Sequence, residues 1–426
     1  MREEIKFTKQ EIGWVLYDVA NSSFVLIIIT TIFQIYFKDI ASKSIESAIS
    51  TSNWGFANSL ASTIIALLSP FVGAFGSLKN KKKRLFSFFM FLGIIFTLLF
   101  VTINEGDWIK CLILFIIARI GWAGANLFYD SFLVDITKKE RMDWISSLGF
   151  GWGYIGSVIP FLITIAIIII FKNIQKTAAI PVIPSKISFI IVALWWFIFS
   201  IPMLKNVKQI YYTAETKNLI KNTFKRLFKT FIEVFKNRTI FVFLLSYFFY
   251  IDGVNTIFSM ATAYGRDIGL GQITLIIVVL FIQIIAFPFS LIYGKLAQKK
   301  SPKIMILAGI CVYSIITLLG FLLPSIPTLN LKIIFFWFLA FLVATSQGGI
   351  QALSRSLFGK IIPRERATEF FGFYNIFGKF SVILGPFLMG LIGRLTGYSR
   401  YGILSILIFF IIGGIFLLKL KNENLN

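Results

Sequence analysis

The sequence predicts an all-α integral membrane protein of twelve transmembrane helices, arranged as two six-helix pseudo-repeats. Three observations predict it. Apolar residues make up 57% of the chain against 14% charged, and they gather into runs of the length a helix needs to cross a bilayer. The alternating ten-residue segments of a membrane barrel are absent. Landmarks in the first six runs return in the second six.

The runs fall at about 12–37, 53–78, 84–104, 108–136, 143–171 and 185–204, then at about 239–264, 272–297, 302–323, 331–360, 367–396 and 399–420. The first carries Asp18 with Asn21, Ser22 and Ser23. A carboxylate at the bilayer centre costs roughly 2.5–3.5 kcal/mol or more, so Asp18 needs a partner or water. The second run has Pro70 and, six residues on, Gly76, then the basic loop KNKKKR. The third follows from that loop by its length. On the fourth, Arg119, Ala123, Asn126 and Asp130 fall within about 60° at 100° per residue, with Tyr129 beside them. KKER precedes the fifth, where Gly149, Gly153, Gly156 and Pro160 share one face. A glycine face lets another helix approach closely, so packing is the better reading than ligand contact. The sixth closes the first half.

The seventh run echoes the first: Tyr250, Asp252, Gly253 and Asn255 sit inside apolar sequence. The eighth repeats the second, with Pro288, Gly294 and the loop QKKSPK. On the tenth, Gln347, Gln351 and Ser354 align, with Arg355 at the edge. PRER precedes the eleventh, as KKER precedes the fifth; there Asn375 and Lys379 lie one turn apart. Matching halves suggest a transporter of parallel repeats, with its site between them near the midplane.

An even number of spans puts both termini on one side. The loops of that side hold 29 of the 42 Lys and Arg residues, which predicts cytoplasmic termini. The net charge of +23 is therefore topological, and no nucleic acid is expected. Residues 1–204 and 239–426 form the halves. Between them, 205–238 is a basic linker in which Ile220, Phe224, Leu227, Phe231 and Phe235 recur at helical spacing, flanked by Lys217, Lys221, Lys225, Lys229 and Lys236. This predicts an amphipathic helix on the cytoplasmic leaflet with its bases toward anionic headgroups. With no His and two isolated Cys, zinc, disulfide and histidine chemistry are disfavoured, and neither an enzyme nor a cofactor is expected. The N-terminal run is too long for a cleaved signal.

The in-membrane charges balance: Asp18, Asp130 and Asp252 against Arg119, Arg355 and Lys379. Each reads as half of a fixed ion pair or as a contact to substrate or ion. Asp18 lies near the cytoplasmic end, a depth that also suits a gate pairing across the halves. Together these groups suit a zwitterion, with Asp252 meeting an amine and Arg355 or Lys379 a carboxylate, in a carrier working by alternating access. A carboxylate left unpaired could carry a proton. The candidate substrate- or proton-binding residues are Asp18, Asn21, Arg119, Asn126, Asp130, Asp252, Asn255, Gln347, Gln351, Arg355, Asn375 and Lys379. A sugar or drug carrier, or a lipid scramblase, is the alternative. The expected partners are a small-molecule substrate, the lipid bilayer and a proton or cation, with the chain acting as a monomer in a plasma (inner) membrane.

The layout, with basic loops after the second and eighth runs, looks like the major facilitator superfamily. YDVANSSF (17–24), NLFYDSFLVDI (126–136), SSLGFGWGYIG (146–156), YIDGVNTI (250–257) and GGIQALSRSLFGKIIPRERATEFFGFYNIFGK (348–379) resemble the branch of the fungal vacuolar amino-acid effluxers and their bacterial relatives. The resemblance implies secondary transport, with amino-acid efflux in the fungal members. The superfamily's G-x-x-x-D-R/K-x-G-R/K loop stands here from Gly76 to Arg84, with Asn80 at the acid and Lys83 at the second glycine. Its second copy, from Gly294, has Gln298 at the acid. Asp135 is therefore expected to pair with Lys81 or Arg84. Gly76, Asn80, Asp135, Gly294 and Gln298 are the gating candidates. Arg119-x-Gly121-x-x-Gly124-Ala125 resembles the superfamily's fourth-helix arginine motif, often tied to proton coupling.

Overall fold

The computed structural model describes residues 6–175, 180–214, 219–267 and 269–420. Thr8 starts the first span. Its hydroxyl accepts from the Glu11 N–H at 3.1 Å while the Glu11 carboxylate accepts from the Thr8 N–H at 3.0 Å, a reciprocal capping box. The span then runs through α1 (Lys9–Phe24), a π-helical stretch Val25–Thr30, α2 (Ile32–Tyr36) and a second π stretch Phe37–Ala41. The Thr30 and Thr31 hydroxyls donate to the carbonyls five residues back, Val25 and Leu26, at 2.9 and 2.5 Å. Such side-chain bonds compete with the α ladder and fit the wider turn.

The rest of the first half is α3 (Ser47–Gly76), α4 (Lys81–Leu99), α5 (Trp108–Ile136), α6 (Met142–Gln175) and α7 (Val182–Asn206). After the linker helix α8 (Leu219–Lys236) come α9 (Arg238–Asp267), α10 (Gln272–Lys299), α11 (Pro302–Leu322), α12 (Leu329–Ile361), α13 (Ala367–Thr396), and α14 (Ser399–Ser405) with α15 (Leu407–Leu418) as a broken last span. Among the described residues, twelve helical stretches are long and apolar enough to cross a membrane. Outward-facing Phe88, Ile113, Ile170 and Ile334 are exposed, as side chains bathed in hydrocarbon would be.

Two seams join the halves. Along one, α3 meets α13: a methyl on Gly73 would strike the Thr368 backbone, and one on Gly372 would strike Ser69 and Pro70. Along the other, α6 meets α10, with Gly294 against Ser147 and Trp144. Gly76 touches Phe128 and Thr368. Gln298 donates to the Glu140 carbonyl at 3.4 Å. These approaches lie toward the face where α1 begins and α15 stops, the termini face.

The loop between α3 and α4 corrects one expected pairing. Asn80 takes the left-handed conformation (φ 58°) and α4 starts just after it. Lys82 then falls in phase with Phe86, Phe89 and Met90 on the buried side of α4. Its Nζ donates to Asp135 Oδ2 at 2.6 Å. Lys81 and Arg84 point along other faces, so neither is the partner.

The linker is not a free surface helix. The Ile210 and Tyr211 N–H groups donate to Asp135 Oδ1 at 2.8 Å each, and Thr213 N–H donates to the Ser77 carbonyl at 2.8 Å. On α8, Arg226 donates to the Ala74 carbonyl and pairs with Glu369 at 3.3 Å. Thr230 donates to Glu369, and Glu233 pairs with Arg366, in the short turn 364–366, at 2.5 Å. The face bearing Arg226, Thr230 and Val234 thus ties both halves together. Phe231 and Phe235 of the expected stripe are exposed and Leu227 is half-buried. The Ile220, Phe224, Lys217, Lys221 and Lys225 side chains lie outside the described residues.

Candidate functional site

A cavity of about 420 Å³ lies between the halves. Ten of the twelve candidate binding residues line it: Asp18, Asn21, Asn126, Asp130, Asn255, Gln347, Gln351, Arg355, Asn375 and Lys379. Their helices explain the convergence. Asn126 and Asp130 are one turn apart on α5, Gln347, Gln351 and Arg355 follow at four-residue steps on α12, and Asn375 and Lys379 are one turn apart on α13.

The floor toward the termini face is built on Arg355, which is 3% exposed. Its Nη1 donates to Asp130 Oδ1 at 3.0 Å and its Nη2 reaches Asp18 Oδ2 at 3.4 Å. Nε donates to Ser146 Oγ and Nη2 to the Ser146 carbonyl, each at 3.0 Å. The guanidinium is sandwiched between the Trp14 and Phe150 rings, both at 4.5 Å, with Tyr129 at 5.2 Å. Tyr129 Oη donates to Asp18 Oδ2 at 2.6 Å. One cation of the second half thus clasps two carboxylates of the first. Beyond it, Lys360 pairs with Asp143 at 2.7 Å, again across the halves. Trp122 donates to Asn21 Oδ1 at 3.2 Å and fixes that amide.

The glycine face of α6 is where α1 seats. A methyl at Gly149 would sit 2.5 Å from Asp18 Oδ2 and 3.0 Å from Tyr129 Oη, while Gly153 abuts Ser22 and Gly156 abuts Val19. Packing, as expected, is their geometry, yet it sets where the carboxylate lies. Gly149→Ala should therefore lower the melting temperature, at a cost of about 1–3 kcal/mol. Gly151→Ala, which meets only the flexible Leu291 end and Phe287 beyond 3.2 Å, is the control. Equal melting of the two would contradict this placement of α1.

Two candidates lie off the cavity wall. Asp252 turns into the second half: its Oδ1 accepts from the Gly385 N–H at 2.9 Å and from Thr256 at 3.2 Å. Ile251 lines the cavity instead. Asp252 is therefore not the group that meets an amine there. Arg119 lines a smaller side cleft with Asn58, Ser59, Ser62, Thr63 and Lys379, and donates to Ser62 Oγ at 3.2 Å. Residues the sequence reading missed include Ser146, Phe150, Tyr154, Tyr247, Tyr374 and Trp122. Ser146 stood inside a quoted motif, and only its proximity to Arg355 reveals its use. Among the described residues no group of three or more metal-ligating side chains occurs.

Comparison with known proteins adds to this geometry. A family described as "vacuole effluxer Atg22 like" matches residues 45–424. An uncharacterized MFS-type transporter, YxiO of Bacillus subtilis (strain 168), is 44% identical over 98% of this chain and 96% of its own length. Autophagy-related protein 22 of Kluyveromyces lactis is 25% identical over 78% of this chain and 71% of its own. Among solved structures, the proton:xylose symporter XylE aligns with a TM-score of 0.71 at 11% identity, covering 97% of this chain and 95% of that one. A bacterial homologue of the iron transporter ferroportin aligns at 0.68 with 13% identity, covering 99% and 100%. Those two show a shared fold.

Proposed function

This chain belongs to the Atg22-like vacuole effluxer family of MFS-type transporters, which are not enzymes, and from that premise we propose that it is a secondary carrier of a small zwitterion, amino acids being the leading class. The observation that carries the reading is the cavity between the halves, whose wall holds acids, bases and amides together. A sugar needs hydroxyl and amide partners and no such charges; an apolar drug needs fewer polar groups. Efflux in the fungal relatives' family description supports the solute-carrier class.

The proposed mechanism is alternating access. In the described state the Arg355 clasp, the Lys360–Asp143 pair and the docked linker shut the termini face. The excess of bases on that face supports assigning it to the cytoplasm of a plasma (inner) membrane, so this state is closed to the inside. To open inward, Arg355 must leave Asp18 and Asp130. Those carboxylates then become free to take a proton or cation, which supplies a coupling step. Uptake into proteoliposomes, with and without a pH gradient, tests this. Saturable movement of an amino acid, faster with the gradient, is expected. No saturable movement of any amino acid, alongside movement of a sugar, would overturn the zwitterion reading.

A further inference from the structure

The spanning helices carry charged groups in several settings, and the Lys82–Asp135 and Lys360–Asp143 pairs are closed ion pairs. In the Arg355 clasp every charged group has a partner, one guanidinium serving two carboxylates. Asp252 is held by backbone and hydroxyl donors. Arg119 and Lys379 are different: among the described residues neither makes an ion pair.

They share one cleft, of about 110 Å³, formed by α3 and α5 of the first half and α13 of the second. Arg119 uses one N–H on Ser62 Oγ, 3.2 Å away, and its guanidinium lies 5.9 Å from the Phe115 ring centroid. The Lys379 ammonium sits over the Trp122 ring at 4.9 Å. Asn58, Ser59, Ser62 and Thr63 supply an amide and three hydroxyls, and no carboxylate lines the cleft. The acid that shares the main cavity with Lys379 on α5, Asp130, is already bound by Arg355 at 3.0 Å. Two unmatched cations within spanning helices are costly unless they pair or face water, and such groups mark substrate paths.

We propose that the Arg119–Lys379 cleft is an anion subsite that takes a carboxylate. Guanidinium, ammonium and hydroxyl O–H groups offer the charge-assisted donors that a carboxylate needs. Lys379 also lines the main cavity, so a carboxylate seated in the cleft has the rest of its molecule continuous with that cavity. The floor of that cavity carries two carboxylates against one guanidinium. The site thus has a positive flank and a net negative floor, which orients a zwitterion with its carboxylate to the flank and its amine to the floor. Because the two cations belong to opposite halves, a bound carboxylate also bridges them. The orientation rests on the zwitterion reading; the anion subsite does not.

The test uses the full chain in phosphatidylcholine nanodiscs, with acetate, chloride or inorganic phosphate titrated at constant ionic strength. Benzenesulfonate, bulkier than acetate and a weaker hydrogen-bond acceptor, is the balancing anion, and thermal melting is the readout. Acetate is expected to raise the melting temperature saturably. Arg119→Gln and Lys379→Gln should each raise the half-saturating acetate concentration ~10-fold or more, about 1.4 kcal/mol, while Arg119→Lys keeps saturable binding. If the Gln variants do not purify, Ser62→Ala decides, with an expected rise of ~3–5-fold for one lost hydrogen bond. The same half-saturation in wild type and variants, or no saturable acetate effect, overturns the proposal. So does stabilisation that appears only when phosphatidylglycerol is added, which would assign the cleft to a lipid phosphate. If amino acids are transported and Lys379→Gln leaves their KM unchanged, the carboxylate assignment falls and the function stands. If acetate binds as expected but no amino acid moves, the subsite stands and the function falls.

Discussion

Arg355→Gln should destabilise the protein by about 3–5 kcal/mol, the cost of removing one partner of a buried ionic cluster. The guanidinium has four of its donor contacts to Asp18, Asp130 and Ser146 and is covered by Trp14 and Phe150. Glutamine cannot replace that fork. Asp18 and Asp130 would then face each other's charge in a floor where their side chains are only 11% and 20% exposed. The lost clasp is also a cross-half contact, so transport should fall ~10-fold or more, equivalent to about 1.4 kcal/mol of barrier. Lysine at 355 should do little better, because a point charge cannot serve both carboxylates and the Ser146 carbonyl at once. The triple variant Asp18→Asn, Asp130→Asn, Arg355→Gln should melt higher than Arg355→Gln alone, since no charge is left unmatched. Melting in detergent and uptake into proteoliposomes measure both effects. Wild-type melting and uptake in Arg355→Gln would show that the clasp carries neither stability nor the cycle.

The span pattern was legible because the runs are long and their breaks are basic loops, and the cavity residues were legible because polar groups at four-residue steps stay on one helix face. What failed shows the limits of spacing. The first-run wording has Tyr17 directly before Asp18, whereas the seventh inserts Ile251 between Tyr250 and Asp252. One residue is a 100° turn. It brings Ile251 to the cavity and sends Asp252 to Gly385 and Thr256. Read as a repeat the two segments look alike; read by phase they do not. The π stretches of the first span were hidden for another reason. VLIIIT has ordinary helical composition, and only the bonds from Thr30 and Thr31 to carbonyls five residues back show the wider turn. The linker's docking was invisible too, since Glu369 and Arg366 sit far along the chain from Arg226, Thr230 and Glu233.

Lys82→Met should be nearly as damaging as loss of Arg355, again by about 3–5 kcal/mol. The choice of Lys82 follows from helical phase: Lys82 is 1% exposed, whereas Arg84 is exposed. Asp135 is fully enclosed, with Lys82 Nζ on one oxygen at 2.6 Å and the Ile210 and Tyr211 N–H groups on the other at 2.8 Å each. Methionine keeps the aliphatic reach of the lysine against Phe132 but leaves an unmatched carboxylate beneath the linker. The carboxylate must then draw in water or give up its backbone donors, and either loosens residues 207–213. Lys82→Met should therefore speed proteolytic cutting in that segment as well as lower the melting temperature. Asp135→Asn should do less, because an amide still accepts from both N–H groups although Lys82 is stranded. The double variant Lys82→Met, Asp135→Leu separates charge from anchoring. It removes the unmatched ion, so its melting temperature should recover above that of Lys82→Met, but it also removes the acceptor for Ile210 and Tyr211, so the segment should still be cut faster than wild type. Recovery of both properties would mean that the linker is held without Asp135. Recovery of neither would mean that packing around Lys82, and not the buried ion pair, supports this corner of the termini face.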